Sequence, residues 1–365
     1  MNVLKPIRVR FAASRKRLAW AALAVPLALL LLAAWPHTEA ESRVPSPLLP
    51  PQLEWVGTLH SAADVAPKAG FLKRFIKKVV GLDDRKKAML MPQGVAVDAQ
   101  GRVLVADPRE RVVHVFDAAR KKYSTLHAPD RDPMLAPIAV SLDGSGKIYV
   151  TDALRARIFV FRPDGKFSGT IGGISKTESI FKRCTGLAID PQRGRMYVVD
   201  TVAMQVVILG MDGKVVNRIG KPGANGGEFN YPTYITVGKD GSFWVMDSLN
   251  FRVQHFSGEG KFLDAFGRLG DGLGAFDKSK GVALDSEGRL FVVEGRNDRV
   301  QVYDASGRLL FYFGHTGNAA GEFFLPTGIA INHDTVYVSD GYNRRVQIFH
   351  LRPDTGLDAG AAGGR

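Results

Sequence analysis

Cysteine is almost missing from this chain: Cys184 is the only one in 365 residues. That excludes an internal disulfide framework, any cysteine-based zinc site and with it a RING domain, and it leaves the compartment open. Histidine is sparse as well, with eight positions (37, 60, 114, 127, 255, 315, 333 and 350). The net charge of +13 suggests an anionic partner, yet residues 1–17 supply +6 without one acid and residues 68–87 supply another +6. The rest of the chain is left at about +1. The basicity therefore belongs to two short segments and not to the body of the protein.

The two basic segments differ in kind. Lys5, Arg8, Arg10, Arg15, Lys16 and Arg17 precede LAWAALAVPLALLLLAAW, residues 18–35, a run of uncharged and almost wholly apolar residues. Its length is near the lower limit for crossing a bilayer. The basic flank predicts that residues 1–17 stay in the cytoplasm and that the chain beyond residue 35 is exported. Two outcomes stay open: a signal peptide cut after Ala40, with Thr38 two positions earlier, or an uncleaved anchor. No cysteine is available for a lipoprotein anchor. Residues 36–52, with Pro36, Pro45, Pro47, Pro50 and Pro51, predict an extended tether. The Gly/Ala-rich tail, residues 351–365, predicts disorder.

Between them the chain repeats itself with a period near 47. The units start at Pro92, Pro137, Cys184, Pro232, Ser279 and Pro326. Each opens with a short apolar run (GVAVD, AVSLD, GLAID, YITVG, GVALD, GIAIN). A second strand follows, as in VLVAD or VYVSD, then a third such as RVQVY or RVQIF. A turn such as PDGK or ASGR leads to a fourth that ends in glycine. These runs are too short and too β-branched for helical repeats. Four antiparallel strands repeated six times predict an all-β fold, a six-bladed β-propeller over residues 53–350. A four-stranded unit exposes apolar residues on both faces, so the six must stack and close into a ring. The sixth unit is one strand short. LEWVGTL, residues 53–59, resembles the missing strand, which predicts that the start of the propeller completes its last blade and removes an exposed edge.

YVSDGYNRRVQIF and GEFFLPTGIA resemble NHL repeats, and as six copies at constant spacing the pattern is similar to that of the exported six-bladed NHL propellers of bacteria. The resemblance implies a binding platform or, in some relatives, an enzyme. Peptide-amidating lyases of this fold use a histidine-ligated metal in the central channel. Here the channel-lining first strands carry no histidine. Lactonase-like propellers use carboxylates and amides around calcium or a similar metal, but the acids of this chain recur in every unit, which speaks for architecture. No nucleophile–histidine–acid arrangement stands out. The expectation is a non-catalytic propeller with no catalytic residue, no metal and no cofactor. The alternative is a lyase- or lactonase-type enzyme with a metal at the channel mouth. Animal NHL propellers that bind RNA do so inside the cytoplasm, so export argues against a nucleic-acid partner.

The recurring acid that closes each second strand is Asp107, Asp152, Asp200, Asp247, Glu294 and Asp340. Five residues later stand Arg157, Gln205, Arg252, Arg299 and Arg345, with Val112 in the first unit. A group needed by every blade is best read as structural, so these acids and arginines are expected to satisfy strand ends and bridge neighbouring blades. Specificity instead needs residues that vary. On the face shared by the second-to-third-strand turns and the blade-to-blade connections, these are Arg109, Arg155, Met204, Phe251, Arg296, Tyr342 and Arg344. Four arginines with two aromatics suit an anionic or planar ligand.

The longest connection on that face, residues 68–87, has helical periodicity. Phe71, Leu72, Phe75, Ile76, Val79 and Val80 fall on one side, with Lys73, Arg74, Lys77 and Lys78 on the other. Such a helix packs on the propeller, lies on anionic lipid or docks a partner protein. The partners expected are an envelope protein, a peptide or a polysaccharide, with an anionic lipid surface as a further candidate, and the propeller itself is expected to be monomeric.

Overall fold

The structure is a computed structural model that describes residue 50 and residues 53–65, 88–173 and 179–352. All of these belong to the second of two compact units, Ser46–Arg365. Residues 1–35 with the candidate anchor, nearly all of the 36–52 tether and residues 353–365 lie outside the described residues. So do residues 66–87, and with them Phe71, Lys73, Phe75, Lys77 and Lys78. Among the described residues no helix is long and apolar enough to cross a membrane.

Alternating apolar residues between glycine and aspartate turns form four-stranded antiparallel sheets, six of them. The innermost strands are Val95–Val97, Pro137–Leu142, Cys184–Asp190, Pro232–Val237, Ser279–Leu284 and Pro326–Asn332. Five of the six begin at the residue marked by the repeat; blade 1 begins at Val95 rather than Pro92. Each innermost strand packs against those of the blades before and after it, and the last packs against the first, so the ring is closed.

Closure is made by Leu53–Leu59, which pairs antiparallel with Arg345–Leu351 as the fourth strand of blade 6. Trp55 lies opposite Phe349 and packs on the core of the last blades. The boundary expected at residue 350 falls later: Leu351 is buried, and Arg352 forms an ion pair with Glu54 at 2.9 Å. Leu351 alternates with Phe349 onto the buried face, which is why the strand continues into the segment expected to be tail.

Six apolar clusters hold the blades, each at one junction. Phe291, Val293 and Phe313 meet Val336, Val338 and Phe349 between blades 5 and 6. Leu59, Val65 and Val346 meet Val95, Val105 and Phe116 between blades 6 and 1. The innermost strands approach so closely that glycine is required in or beside four of them. A Cβ on Gly94 would stand 2.5 Å from the Ile138 carbonyl oxygen, and one on Gly281 would stand 2.6 Å from that of Thr327. The phenylalanines of the GEF connections, Phe229 and Phe323, and Phe276 of the corresponding GAF are buried, which accounts for GGEF at residues 226–229 as a packed turn.

Candidate functional site

Each acid at the end of a second strand is at most 1% exposed. Burial of a charge is tolerated here because backbone amides converge on it. Asp152 accepts from the amides of Leu135 and Ala136 in the incoming connection, at 2.6 and 3.0 Å. Its other oxygen accepts from Leu154 and Arg155 in the turn to the third strand. Asp107 does the same with Leu90, Met91, Arg109 and Glu110. Asp200 binds the amides of Lys182, Arg183 and Ala203, and Glu294 those of Asp277, Lys278 and Arg296. The carboxylate thus brings connection and turn together on one face.

Blades 4 and 6 reinforce this with side chains. Asp247 accepts from Asn250, Arg252 and Gln254 at 2.8 to 3.0 Å. Asp340 accepts from Asn343 at 2.9 Å and from Arg345 Nε at 2.7 Å. Arg345 goes on to the carbonyls of Asn318, Ala319 and Glu322, and Arg252 to those of Asn225 and Glu228. The acid–arginine pair that the sequence suggests for four blades forms in these two alone. Arg157 pairs with Asp132 of its incoming connection instead. Arg299 donates to the carbonyls of Asp271 and Gly272 and lies over the Tyr312 ring, while the longer Glu294 side chain gives its carboxylate to the Ser279 hydroxyl and three amides. What these side chains bridge is a blade and the connection arriving from its predecessor, rather than strands of adjacent blades.

Sequence reasoning overlooked the glutamines of the recurring RVQ. Gln254, Gln301 and Gln347 accept the amides of Gly227, Gly274 and Gly321 at 2.7 to 2.9 Å. They donate to the carbonyls of Glu228, Ala275 and Glu322. Their constant offset of seven residues from the acid was the available signal. Blade 1 departs from the pattern with Val112 and His114. The buried His114 places Nδ1 2.7 Å from the Tyr123 hydroxyl and Nε2 3.5 Å from Asp107. Burial opposes ionisation of Asp107, but His114 and the amides of Met91, Glu110 and Leu90 outweigh it and hold its pKa down at about 2. Burial, with Glu110 and Asp107 nearby, raises Tyr123 to about 12. An ionised acid, an imidazole and a phenol that keeps its proton make a structural chain with no nucleophile.

The turns on this face fix which side chains are free. Each spans four residues, and the last is left-handed without being glycine: Arg111, Ala156, Met204, Phe251, Asp298 and Arg344 have φ between 49° and 60°. The seven rim candidates fall at three different turn positions. Arg109, Arg296 and Tyr342 take the second, which points to solvent in every blade. Its other occupants, Leu154, Val202 and Leu249, are 58%, 49% and 50% exposed. Arg296 is held by Asp277 at 3.1 Å. Arg155 takes the third position, with its guanidinium drawn 3.2 Å from the Pro133 carbonyl. Met204 and Phe251 take the fourth and pack partly buried against the cores of blades 3–4 and 4–5. Arg344 also takes the fourth and is exposed. Choosing by residue type passed over Leu154, Val202 and Leu249, and over Tyr231 and Phe324 at the ends of connections, 38% and 44% exposed. Phe324 lies against Tyr342 with ring centroids 5.2 Å apart. Counting residues from the acid would have found the first three.

The opposite face holds a cavity of about 820 Å³ between blades 1 and 2, lined by Asp98, Asp117, Asp143 and Asp164 with Arg102, Arg120 and Lys122. Asp98 is engaged by Arg102, Asp117 by Arg120, Asp143 by the Tyr149 hydroxyl and Asp164 by Arg162. Among the described residues no three histidine, cysteine or acidic side chains are grouped to hold a metal ion.

No protein-family model matches this chain, and no curated protein matches it. Solved structures do resemble it. A streptogramin B lyase is 15% identical, with a TM-score of 0.55 over 72% of this chain and 94% of that one. A protein of unknown function from Bacteroides thetaiotaomicron is 15% identical, with a TM-score of 0.58 over 82% of this chain and 76% of that one. A luciferin-regenerating enzyme is 16% identical, with a TM-score of 0.51 over 73% of this chain and 92% of that one. At such identities the likeness is one of fold.

Proposed function

We propose that this chain is a non-catalytic propeller of the NHL type that docks a partner protein through its connection face. In this reading residues 18–35 hold it at the exported side of a bacterial cytoplasmic membrane and residues 36–52 act as tether. The observation that carries the proposal is the second turn position: one outward side chain per blade, Arg109, Leu154, Val202, Leu249, Arg296 and Tyr342, different in character from blade to blade, with four of the six apolar or aromatic and about half exposed. Apolar side chains kept in solvent around one rim, with Tyr231 and Phe324 beside them, have the composition of a protein interface with aromatic anchors and arginine.

Capture from envelope extract with residues 44–365 tests it. The expected result is one partner bound by the native chain, lost with Leu154→Asp, Leu249→Asp and Tyr342→Asp together, and retained with Val215→Asp and Leu263→Asp on outer strands. A partner indifferent to the rim variant would refute docking at this face. A stoichiometric metal in the purified protein would favour a lyase- or lactonase-type enzyme instead.

A further inference from the structure

On the face opposite the connections, each blade passes from its innermost to its second strand through a polar loop. In blades 1 and 5 the loop reads DAQGR and DSEGR. The arginine after the glycine closes on the aspartate: Arg102 Nε lies 2.5 Å from Asp98 and Arg289 Nε 2.6 Å from Asp285. Blade 3 reads DPQRGR, one residue longer. The extra arginine, Arg193, takes the aspartate, with Nη1 3.0 Å from Asp190, and donates onward to the Asp240 carbonyl of blade 4. The other Asp190 oxygen accepts from the amides of Gln192 and Arg193. Arg195 stands where Arg102 and Arg289 stand, half-buried. Its side chain has no hydrogen bond or ion pair among the described residues.

A second donor in blade 3 has lost the same kind of partner. Tyr149 of blade 2 gives its hydroxyl to Asp143 at 3.0 Å. Its counterpart Tyr197, fully buried, reaches only the Gly258 carbonyl of blade 4, at 3.5 Å. Arg195 and Tyr197 are two residues apart on the strand Arg195–Asp200, so they share a face of the sheet. Both line a cavity of about 490 Å³ between blades 3 and 4. Two groups that a carboxylate answers in other blades thus meet in one cavity, and neither has a carboxylate bonded to it. Glu259, in the turn of blade 4, lines the same cavity. One of its oxygens accepts from the Ser257 hydroxyl at 2.9 Å, and it forms no ion pair with Arg195. The charges that bear on the Tyr197 hydroxyl are Asp190, Arg193, Arg195 and Glu259, and the first two pair with each other. What remains is one cation and one carboxylate, in a space lined also by buried Ile208 and exposed Val216. A cavity of that size, part apolar and with a few convergent polar groups, has the form of a small-molecule site.

We infer that this cavity binds a free amino acid with an apolar side chain. The ligand's carboxylate takes the place that Asp98 and Asp143 fill in other blades, on the Arg195 guanidinium and the Tyr197 hydroxyl. Its ammonium goes to Glu259 and the Gly258 carbonyl, and its side chain to Ile208 and Val216. A plain anion would meet Glu259 and a plain amine would meet Arg195, so the two together select a zwitterion. The site lies on the face opposite the docking rim and does not depend on it.

Equilibrium dialysis of the full-length protein in detergent against tritiated L-leucine tests the inference. One saturable site is expected. Leucinamide, which lacks the carboxylate, and 4-methylpentanoate, which lacks the ammonium, should each compete at least about tenfold more weakly than unlabelled leucine. Arg195→Gln and Glu259→Gln should each weaken leucine binding at least about tenfold with the melting temperature kept, and Arg289→Gln, at the paired counterpart in blade 5, should leave binding unchanged. If one variant fails to fold, the other and the two analogues still decide. Absence of saturable leucine binding, equal competition by leucinamide or 4-methylpentanoate, or native affinity in folded Arg195→Gln or Glu259→Gln would each overturn it.

Discussion

Arg345→Ala removes a side chain that makes four hydrogen bonds and is 6% exposed. Its loss leaves Asp340, fully buried, with Asn343, the Phe324 amide and, at 3.4 Å, Gln347, but without its cationic partner. It also strips donors from the carbonyls of Asn318, Ala319 and Glu322. Breaking a buried pair by removing one partner costs about 3–5 kcal/mol, most of it from the charge left behind. The unfolding entropy of a domain of roughly 300 residues is on the order of 0.6 kcal/mol per degree. The melting temperature should therefore fall by about 5–8 °C. Arg344→Ala is the matched control: the neighbouring arginine is exposed, and its removal should cost no more than about 0.5 kcal/mol, or about 1 °C. Adding Asp340→Asn to Arg345→Ala should recover part of the loss, since a neutral amide tolerates burial better than an orphaned carboxylate. Differential scanning fluorimetry of the four proteins is sufficient. A drop under 2 °C in Arg345→Ala, or no recovery in the double variant, would refute the view that this arginine neutralises a buried acid.

Deleting residues 53–60 opens blade 6 and should abolish the cooperative melting transition; a loss of only a few degrees would count against closure by this strand. Asp107, with its pKa lowered to about 2, adds stability that is fully present above its ordinary value near 4 and fades as the pH falls from about 4 toward 2, worth about 2–3 kcal/mol. Urea unfolding at pH 6 and pH 2.5 should therefore show a gap between native protein and Asp107→Asn that narrows in acid; a constant gap would sink the assignment. For residues 68–87, a chain freed of residues 1–43 should bind anionic vesicles more tightly than neutral ones, and Phe75→Ser or Lys77→Glu should weaken that binding. Equal binding to both vesicles would end the lipid proposal.

The architecture was legible because a period of about 47 leaves few alternatives once each unit shows four short β-branched runs. Trp55 was also legible as part of the last blade, since a unit missing its outer strand beside an orphan strand of the right pattern admits one solution. The rim was legible only as a region. Tyr342 and Arg344 are two residues apart, yet one is the outward position of its turn and the other its left-handed end. Residue type says nothing of that difference; the distance from Asp340 does. The pairing of acid with arginine misled at Arg157 and Arg299 for a related reason. A regular spacing shows that two groups are near one another, but Asp132 and the extra methylene of Glu294 decide which partner each takes.

In the closing ladder Leu53 lies opposite Leu351, and the two strands run antiparallel, so the chain enters and leaves the propeller side by side on the rim of one blade. The seam is therefore movable. A linker of a few residues joining position 352 to position 53, with new ends cut into an exposed outer turn such as residues 305–308, yields a permuted chain with every strand pairing intact. The same adjacency means that a tether at one end and cargo fused at the other would pull on the same end of one strand pair, so that its rungs open one by one from Leu53 and Leu351 instead of sharing the strain at once.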